Sequence, residues 1–268
     1  MEDDSVTAAT QRFYDAIARR NPALAFMNYG YVDPAAPEAE MSADELAAAS
    51  RRLYEAVLPA DGPLGRVLEV GCGRGAGAAF VLDSRPVTSY LGLDLSSENI
   101  RMCRRLAAPG PARSGEGRSR PRQPSAVEFA VADARRLPVP DAAFDTVFSV
   151  EAAQHFEDRV RFYREVARAL VPGGRFYFAS IWRPADVEPP ATMDACGFRL
   201  VDRADITPNV VGSLARSGEL RRLIVESLQL PDRFTPLLMS WAGVRGHTAY
   251  EGLASGQLVY LRFVLERR

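Results

Sequence analysis

The chain has 268 residues, 47% hydrophobic and 25% charged, which suits a globular α/β domain with an appended cap and a sizeable core. A formal net charge of −1 gives no electrostatic case for nucleic acid, and no apolar run reaches the roughly 18 residues of a membrane span. The start, Met1-Glu2-Asp3-Asp4, has the wrong charge for a signal peptide, so the expected location is cytoplasmic.

Residues 5–20 put Phe13, Tyr14 and Ile17 on one side of a predicted helix that ends near Asn21-Pro22. An aromatic patch, Phe26 to Tyr31, follows. Ser42 to Glu45 then reads as a capping box opening a helix over 43–57. Beyond Pro63 the pattern becomes strand and helix in alternation. Strands are expected at Arg66–Val70, Tyr90–Leu95, Val127–Val131, Phe144–Val150 and Arg175–Ile181, with a clear amphipathic helix at Arg159–Leu170. This order argues a doubly wound, parallel sheet. Phe198–Val201 and Gln257–Glu266 read as two further strands, the last able to close an edge antiparallel to the rest. Residues 107–126, dense in Gly, Pro, Ser and Arg, read as a solvated surface insertion. The segment 205–250 opens with Thr207 as an expected N-cap before Pro208 and carries apolar residues at helical spacing. The expected organisation is an N-terminal helical cap (1–60), a core (61–204), a helical lid insertion (205–250) and a final core strand (251–268).

The absence of lysine rules out a P-loop lysine, a Schiff-base lysine and a lysine general base. The three cysteines and two histidines have no metal-ligand spacing, so no metal site or disulfide framework is expected. The strongest local signal is Val67-Leu-Glu-Val-Gly-Cys-Gly-Arg-Gly75, a strand running into a glycine-rich turn and then a helix from about Ala76. Such glycines let a ligand approach the backbone, and the helix N-terminus offers unpaired N–H groups. Gly71-x-Gly73-x-x-Ala76 also satisfies a dinucleotide fingerprint, with Asp94 lying 18 residues past Ala76. Glu69 argues against that reading: a carboxylate two residues before the first glycine repels a pyrophosphate and suits an ammonium-bearing, sulfonium-charged ligand. Asp133-Ala134, just past the third strand, is placed to accept from an adenine amino group.

With Phe144-Asp145 and Pro172-Gly-Gly174, these residues closely resemble the class I S-adenosylmethionine (SAM)-dependent methyltransferases, over about residues 60–182. The resemblance implies a Rossmann-like, seven-stranded, mostly parallel sheet of order 3-2-1-4-5-7-6, with SAM across the carboxyl ends of strands 1 to 4. It implies that Glu69, Gly71 and Gly73 hold the methionine part, Asp94 the ribose, and Asp133 and Ala134 the adenine, with Cys72 and Leu95 also on the cofactor side and S-adenosylhomocysteine as product. Glu151, Tyr14 and Tyr29 are further candidates for the cofactor side, though an aromatic patch at a domain entry also serves as core. Asn28-Tyr-Gly-Tyr31 and the tail from Gly197 are similar to bacterial natural-product and lipid methyltransferases of the phthiotriol type and their sterol- and tocopherol-like relatives.

After the fourth strand comes Ser149-Val-Glu-Ala-Ala-Gln-His155, without the Asn/Asp-Pro-Pro-aromatic motif of enzymes that methylate base amino groups. Methyl transfer from a sulfonium needs alignment, exclusion of water and removal of the acceptor's proton. His155 suits the last task, its other role being to cap or pack beneath the next helix. Ser180, where some relatives keep an acid, weakens a histidine–acid dyad. Tyr31, Trp182 and His247 are candidates for the acceptor side, His247 reading equally as a surface turn. The expected activity is methylation of an oxygen, with carbon and nitrogen open, on a small secondary metabolite such as a polyketide or glycosylated antibiotic intermediate. The expected partner is that acceptor, with a homodimer as a further possibility. Two rivals stand beside it: a SAM-binding protein of the same fold without methyl transfer, pericyclase-like or a binding module, and an NAD-dependent oxidoreductase.

Overall fold

The computed structural model describes residues 2–37, 39–107, 124–156 and 158–268, so most of the arginine-rich insertion lies outside the described residues. Two helices precede the sheet, α1 (Glu2–Arg20) and α2 (Ala43–Val57). The capping box forms as expected: the Ser42 hydroxyl accepts from Glu45 N–H, and the Glu45 carboxylate accepts from Ser42 N–H at 2.8 Å. The alternation then runs β1 (Gly65–Val70), α3 (Ala76–Ser84), β2 (Val87–Asp94), α4 (Ser97–Ala107), β3 (Val127–Val131), β4 (Phe144–Val150), α5 (Arg159–Ala169) and β5 (Leu170–Trp182). The chain continues through α6 (Pro190–Ala195), β6 (Phe198–Asp205), three helices, α7 (Thr207–Ser227), α8 (Thr235–Trp241) and α9 (Thr248–Ala254), and β7 (Val259–Arg267).

The seven strands form one sheet of order 3-2-1-4-5-7-6, parallel through β3-β2-β1-β4-β5, with β7 antiparallel to both its neighbours. Both faces are covered, which explains why the central strands read as continuous apolar runs. Strand alternation sends Val67, Tyr90 and Phe148 into a core under α2, α3 and the lid helices. It sends Leu68, Val147, Phe176 and Phe178 into a second core under α5 and α6. There Phe178 stacks on Phe176 and on Phe263, with ring centroids 4.7 and 4.8 Å apart. At the amino edge Asp145 accepts from the Arg66 backbone N–H and from Nε and Nη2 of its guanidinium, tying β1 to β4 far from the carboxyl ends.

One local expectation is corrected. Thr207 does not cap α7: Ile206 is the N-cap, and Thr207 and Pro208 lie inside the first turn. The reason is that the Thr207 hydroxyl is engaged elsewhere, accepting from Tyr260 N–H at 2.7 Å, while Asp205 takes the Thr207 N–H at 2.9 Å. The lid is thereby stitched to β7. Among the described residues no helix is long and apolar enough to cross a membrane.

Candidate cofactor and acceptor site

A cavity of about 550 Å³ opens at the carboxyl ends of β1 to β4, between α1, the 25–29 segment and helices α8 and α9. Its floor is the glycine-rich turn. Gly71, Gly73 and Gly75 take positive φ values of 80°, 52° and 82°. At Gly71 a Cβ would lie 2.3 Å from that of Ala152, so the turn is butted against the segment after β4. Gly75 is the N-cap of α3 and has no side chain to satisfy that helix's first N–H groups.

The acids that the sequence singles out are arranged around this turn in three different ways. Asp94, at the end of β2, accepts from Gly73 N–H at 2.8 Å, Ser96 N–H at 2.8 Å and Asn99 at 3.2 Å. Burial pushes its pKa up to about 6 in spite of those bonds. Asp133 lies past β3. Burial alone would raise its pKa, but bonds from the guanidinium and backbone N–H of Arg135 hold it below the ordinary carboxylate value. Arg135 also reaches Thr7 of α1 at 3.0 Å, closing that end of the cavity. Glu69 does not line the cavity. It is fully buried beneath the turn, where the Tyr90 hydroxyl donates to one oxygen and the other finds no partner. Its strand face points it at Tyr54 and the helix start at Gly77 instead of at the opening, and burial raises its pKa to about 8.

The segment after β4 supplies the other wall. Glu151 has a φ of +56°, strained for a residue with a side chain. Its Oε1 accepts from Tyr29 N–H at 2.7 Å and from the Tyr260 hydroxyl at 2.9 Å, and burial lifts its pKa to about 7. Tyr29 is gripped on every side: Ser213 and Arg221 of α7 donate to its carbonyl, and its hydroxyl donates to the Trp241 carbonyl at 3.0 Å. A 3-10 turn, Ala153–His155, then carries His155 to the cavity, where Nε2 lies 2.8 Å from the Tyr14 hydroxyl of α1. His155 lines the cavity and keeps an exposed surface, and the protein packed around the ring lowers its pKa by desolvation. Burial raises that of Tyr14, with the nearby Trp241 indole working against the rise. In the Nδ1-protonated tautomer of a neutral His155, Nε2 accepts from the Tyr14 hydroxyl.

Gly71, Cys72, Gly73, Asp94, Leu95, Asp133, Ala134, Glu151, His155, Tyr14 and Tyr29 thus share one cavity. Tyr31, Trp182 and His247 do not line it. Tyr31 donates its N–H to the Ala49 carbonyl and packs against the core. Alternation along β5 turns Ile181 to the cavity and Trp182 to the opposite core, under the Arg159 guanidinium at 4.8 Å. His247 begins α9 through its backbone. Among the cavity-wall residues that the sequence reading missed are Arg74, Arg135, Gln154, Phe13, Leu237 and Trp241. Arg74 sits between two glycines of the turn motif, where its type follows from no backbone requirement; the others follow no local pattern.

A mostly parallel sheet of order 3-2-1-4-5-7-6 with an antiparallel seventh strand, carrying a glycine-rich turn and a cavity at its carboxyl ends, is the Rossmann-like architecture of methyltransferases. The chain belongs to the class I SAM-dependent methyltransferases. A family model described as a methyltransferase domain matches residues 68–178. A fatty-acid O-methyltransferase of Mycolicibacterium smegmatis is 32% identical over 243 residues, covering 88% of this chain and 81% of that protein. A phthiotriol/phenolphthiotriol dimycocerosates methyltransferase of Mycobacterium tuberculosis is 29% identical, covering 90% and 84%. In fold the chain is similar to geranyl diphosphate C-methyltransferase from Streptomyces coelicolor A3(2), solved with S-adenosylhomocysteine (TM-score 0.65, 16% identity, 98% of each chain). It is also similar in fold to the [4+2]-cyclase SpnF (TM-score 0.66, 19% identity, 96% and 94%). The cofactor of the family is SAM, and the residues present fit it: the glycine-rich turn lines the cavity, the α3 N-terminus beside it has no side-chain cap, and two buried nitrogens of Arg74 have no partner.

Proposed function

We propose that the protein transfers the methyl group of SAM to an oxygen of a mainly apolar small molecule, and that His155 and Tyr14 remove the acceptor's proton. The observation that carries the reading is the 2.8 Å bond between the Tyr14 hydroxyl and His155 Nε2 on the cavity wall. SAM, when bound, supplies a methyl group activated by the sulfonium. The Gly71–Gly73 turn and Asp94 hold its amino-acid and ribose parts, with Cys72 and Leu95 alongside, and Asp133 and Ala134 take the adenine. Asp133 then exchanges part of its bonding with Arg135 for the adenine amino group.

The proton has a route through this chain's own atoms. With His155 accepting its hydrogen, the Tyr14 oxygen keeps its lone pairs for the acceptor's O–H. As that proton arrives, the tyrosine's own passes to Nε2, and the phenol is never left charged. A histidine held neutral by its surroundings is ready for this at neutral pH. The acceptor's body is taken up by Phe13, Phe156, Ile181, Leu237, Trp241 and Ala249, which face the same space. The two relatives named for a fatty acid and for phthiotriol support an apolar acceptor.

The test is methylation of a panel of hydroxylated polyketides, hydroxy fatty acids and fatty acids, read as S-adenosylhomocysteine released and methyl mass gained. His155→Ala should lower kcat by about 10²–10⁴ with SAM affinity kept. Wild-type turnover in that variant refutes the base assignment. Conversion of substrate without S-adenosylhomocysteine refutes methyl transfer itself.

A further inference from the structure

Arg74, between Gly73 and Gly75, is 3% exposed and lines the cavity. Its Nη1 donates to the carbonyls of Asn21 and Leu24, at 2.5 and 2.7 Å, pinning the strand of chain that leaves α1 to the glycine-rich turn. Its other two nitrogens, Nε and Nη2, are buried and donate to nothing. A buried cation with two idle donors is a costly arrangement unless something completes it. Burial lowers its pKa only to about 10, so the guanidinium is still charged at neutral pH.

The identity of the idle edge matters. Nε and Nη2 form the side of a guanidinium that meets a carboxylate with two parallel bonds. Arg66 uses this pair on Asp145, and Arg135 uses it on Asp133. Arg74 offers the same pair with no acidic partner. It does so at the start of α3, whose first N–H groups have no side-chain cap and whose dipole also favours an anion. Nothing of this kind is found on the acceptor wall, where aromatic and aliphatic side chains face the space beside His155.

We propose that Arg74 presents its Nε–Nη2 edge to the α-carboxylate of SAM, fixing the amino-acid end of the cofactor. This rests on the cofactor assignment and is independent of the acceptor. Because Nη1 of the same guanidinium holds Asn21 and Leu24, the residue also links cofactor binding to the position of α1, which carries Tyr14.

The experiment is calorimetric titration of wild type, Arg74→Met and Arg74→Lys with SAM and with decarboxylated SAM, which keeps the amine and the sulfonium. Wild type should bind SAM about ten- to a hundredfold tighter than the decarboxylated ligand. Arg74→Met should lose that preference, weakening SAM while leaving the decarboxylated ligand unchanged, and Arg74→Lys should restore part of it. Equal weakening of both ligands by Arg74→Met overturns the proposal and leaves a structural role through Asn21 and Leu24. Lack of discrimination by wild type overturns it as well, as does a variant whose only defect is a higher KM for the acceptor. Should Arg74→Met not fold, as judged by thermal melting, the wild-type preference and its reduction in Arg74→Lys decide the matter.

Discussion

Replacing Glu69 by glutamine should make the protein more stable, and increasingly so as pH rises. The carboxyl is fully buried, with one oxygen bonded by the Tyr90 hydroxyl and the other without a partner. Burial, against that hydrogen bond and with Asp94 adding repulsion, takes its pKa from an ordinary 4.5 to about 8. A folded-state pKa above the unfolded one means that the native state prefers the protonated group. Its contribution is whole below pH 4.5 and is lost as pH climbs through about 8. At ~1.4 kcal/mol per unit the penalty for the charged form approaches roughly 5 kcal/mol above pH 8 and is about 3 kcal/mol at pH 7. Glutamine keeps the shape and the acceptor for Tyr90, and its amide N–H group replaces a protonated oxygen that also lacked a partner. The two proteins should therefore melt close together at pH 5, while at pH 7 the variant should melt higher by roughly 6–12 °C. Thermal melting by circular dichroism from pH 5 to 9 reads this directly. A stability difference that does not change with pH, or a wild type that is the more stable at pH 8, would refute the reasoning.

Three further outcomes follow from the site. Gly71→Ala places a methyl group 2.3 Å from the Ala152 Cβ at a φ of +80°, and should cost about 2–5 kcal/mol of stability in denaturant titration. Tyr14→Phe removes the hydroxyl that bonds His155, so kcat should fall at least tenfold with SAM affinity, measured by calorimetry, little changed. In wild type the acid limb of the kcat–pH profile should lie below the ordinary histidine range, because burial lowers the pKa of His155 and the rate is lost only once the ring protonates.

Much of the sheet was legible because parallel strands buried on both faces leave continuous apolar runs, and because Gly71, Gly73 and Gly75 break the helix pattern at one place. Boundaries were less so. β2 begins at Val87, three residues before the expected Tyr90, and β6 extends to Asp205, because the antiparallel ladder with β7 continues through Asp202, Arg203, Ala204 and Asp205. For the site, the local motif brought Asp94, Asp133 and the turn together. What it could not supply was the direction of a side chain one position away along a strand. Glu69 and Trp182 share their strands with residues that reach the cavity, and both face a core. Nor does any spacing announce that Arg221, 192 residues from Tyr29, will donate to its carbonyl, or that Tyr14 will meet His155 across 141. Such pairs are set by how the cap and lid fold over the sheet.

The contact of Gly71 with Ala152 has a consequence for changing what the enzyme accepts. Glycine has nothing left to remove and alanine can shrink by only one methyl, so this seam holds no slack. A residue enlarged at 152 would drive Glu151 and His155 away from the turn, and one enlarged at 71 would do the same from the other side. Libraries aimed at new acceptors should therefore leave both positions fixed. Their diversity belongs on the opposite wall, at Leu237, Trp241 and Ala249, where Leu237 is already 57% exposed and side chains can change size without moving the turn.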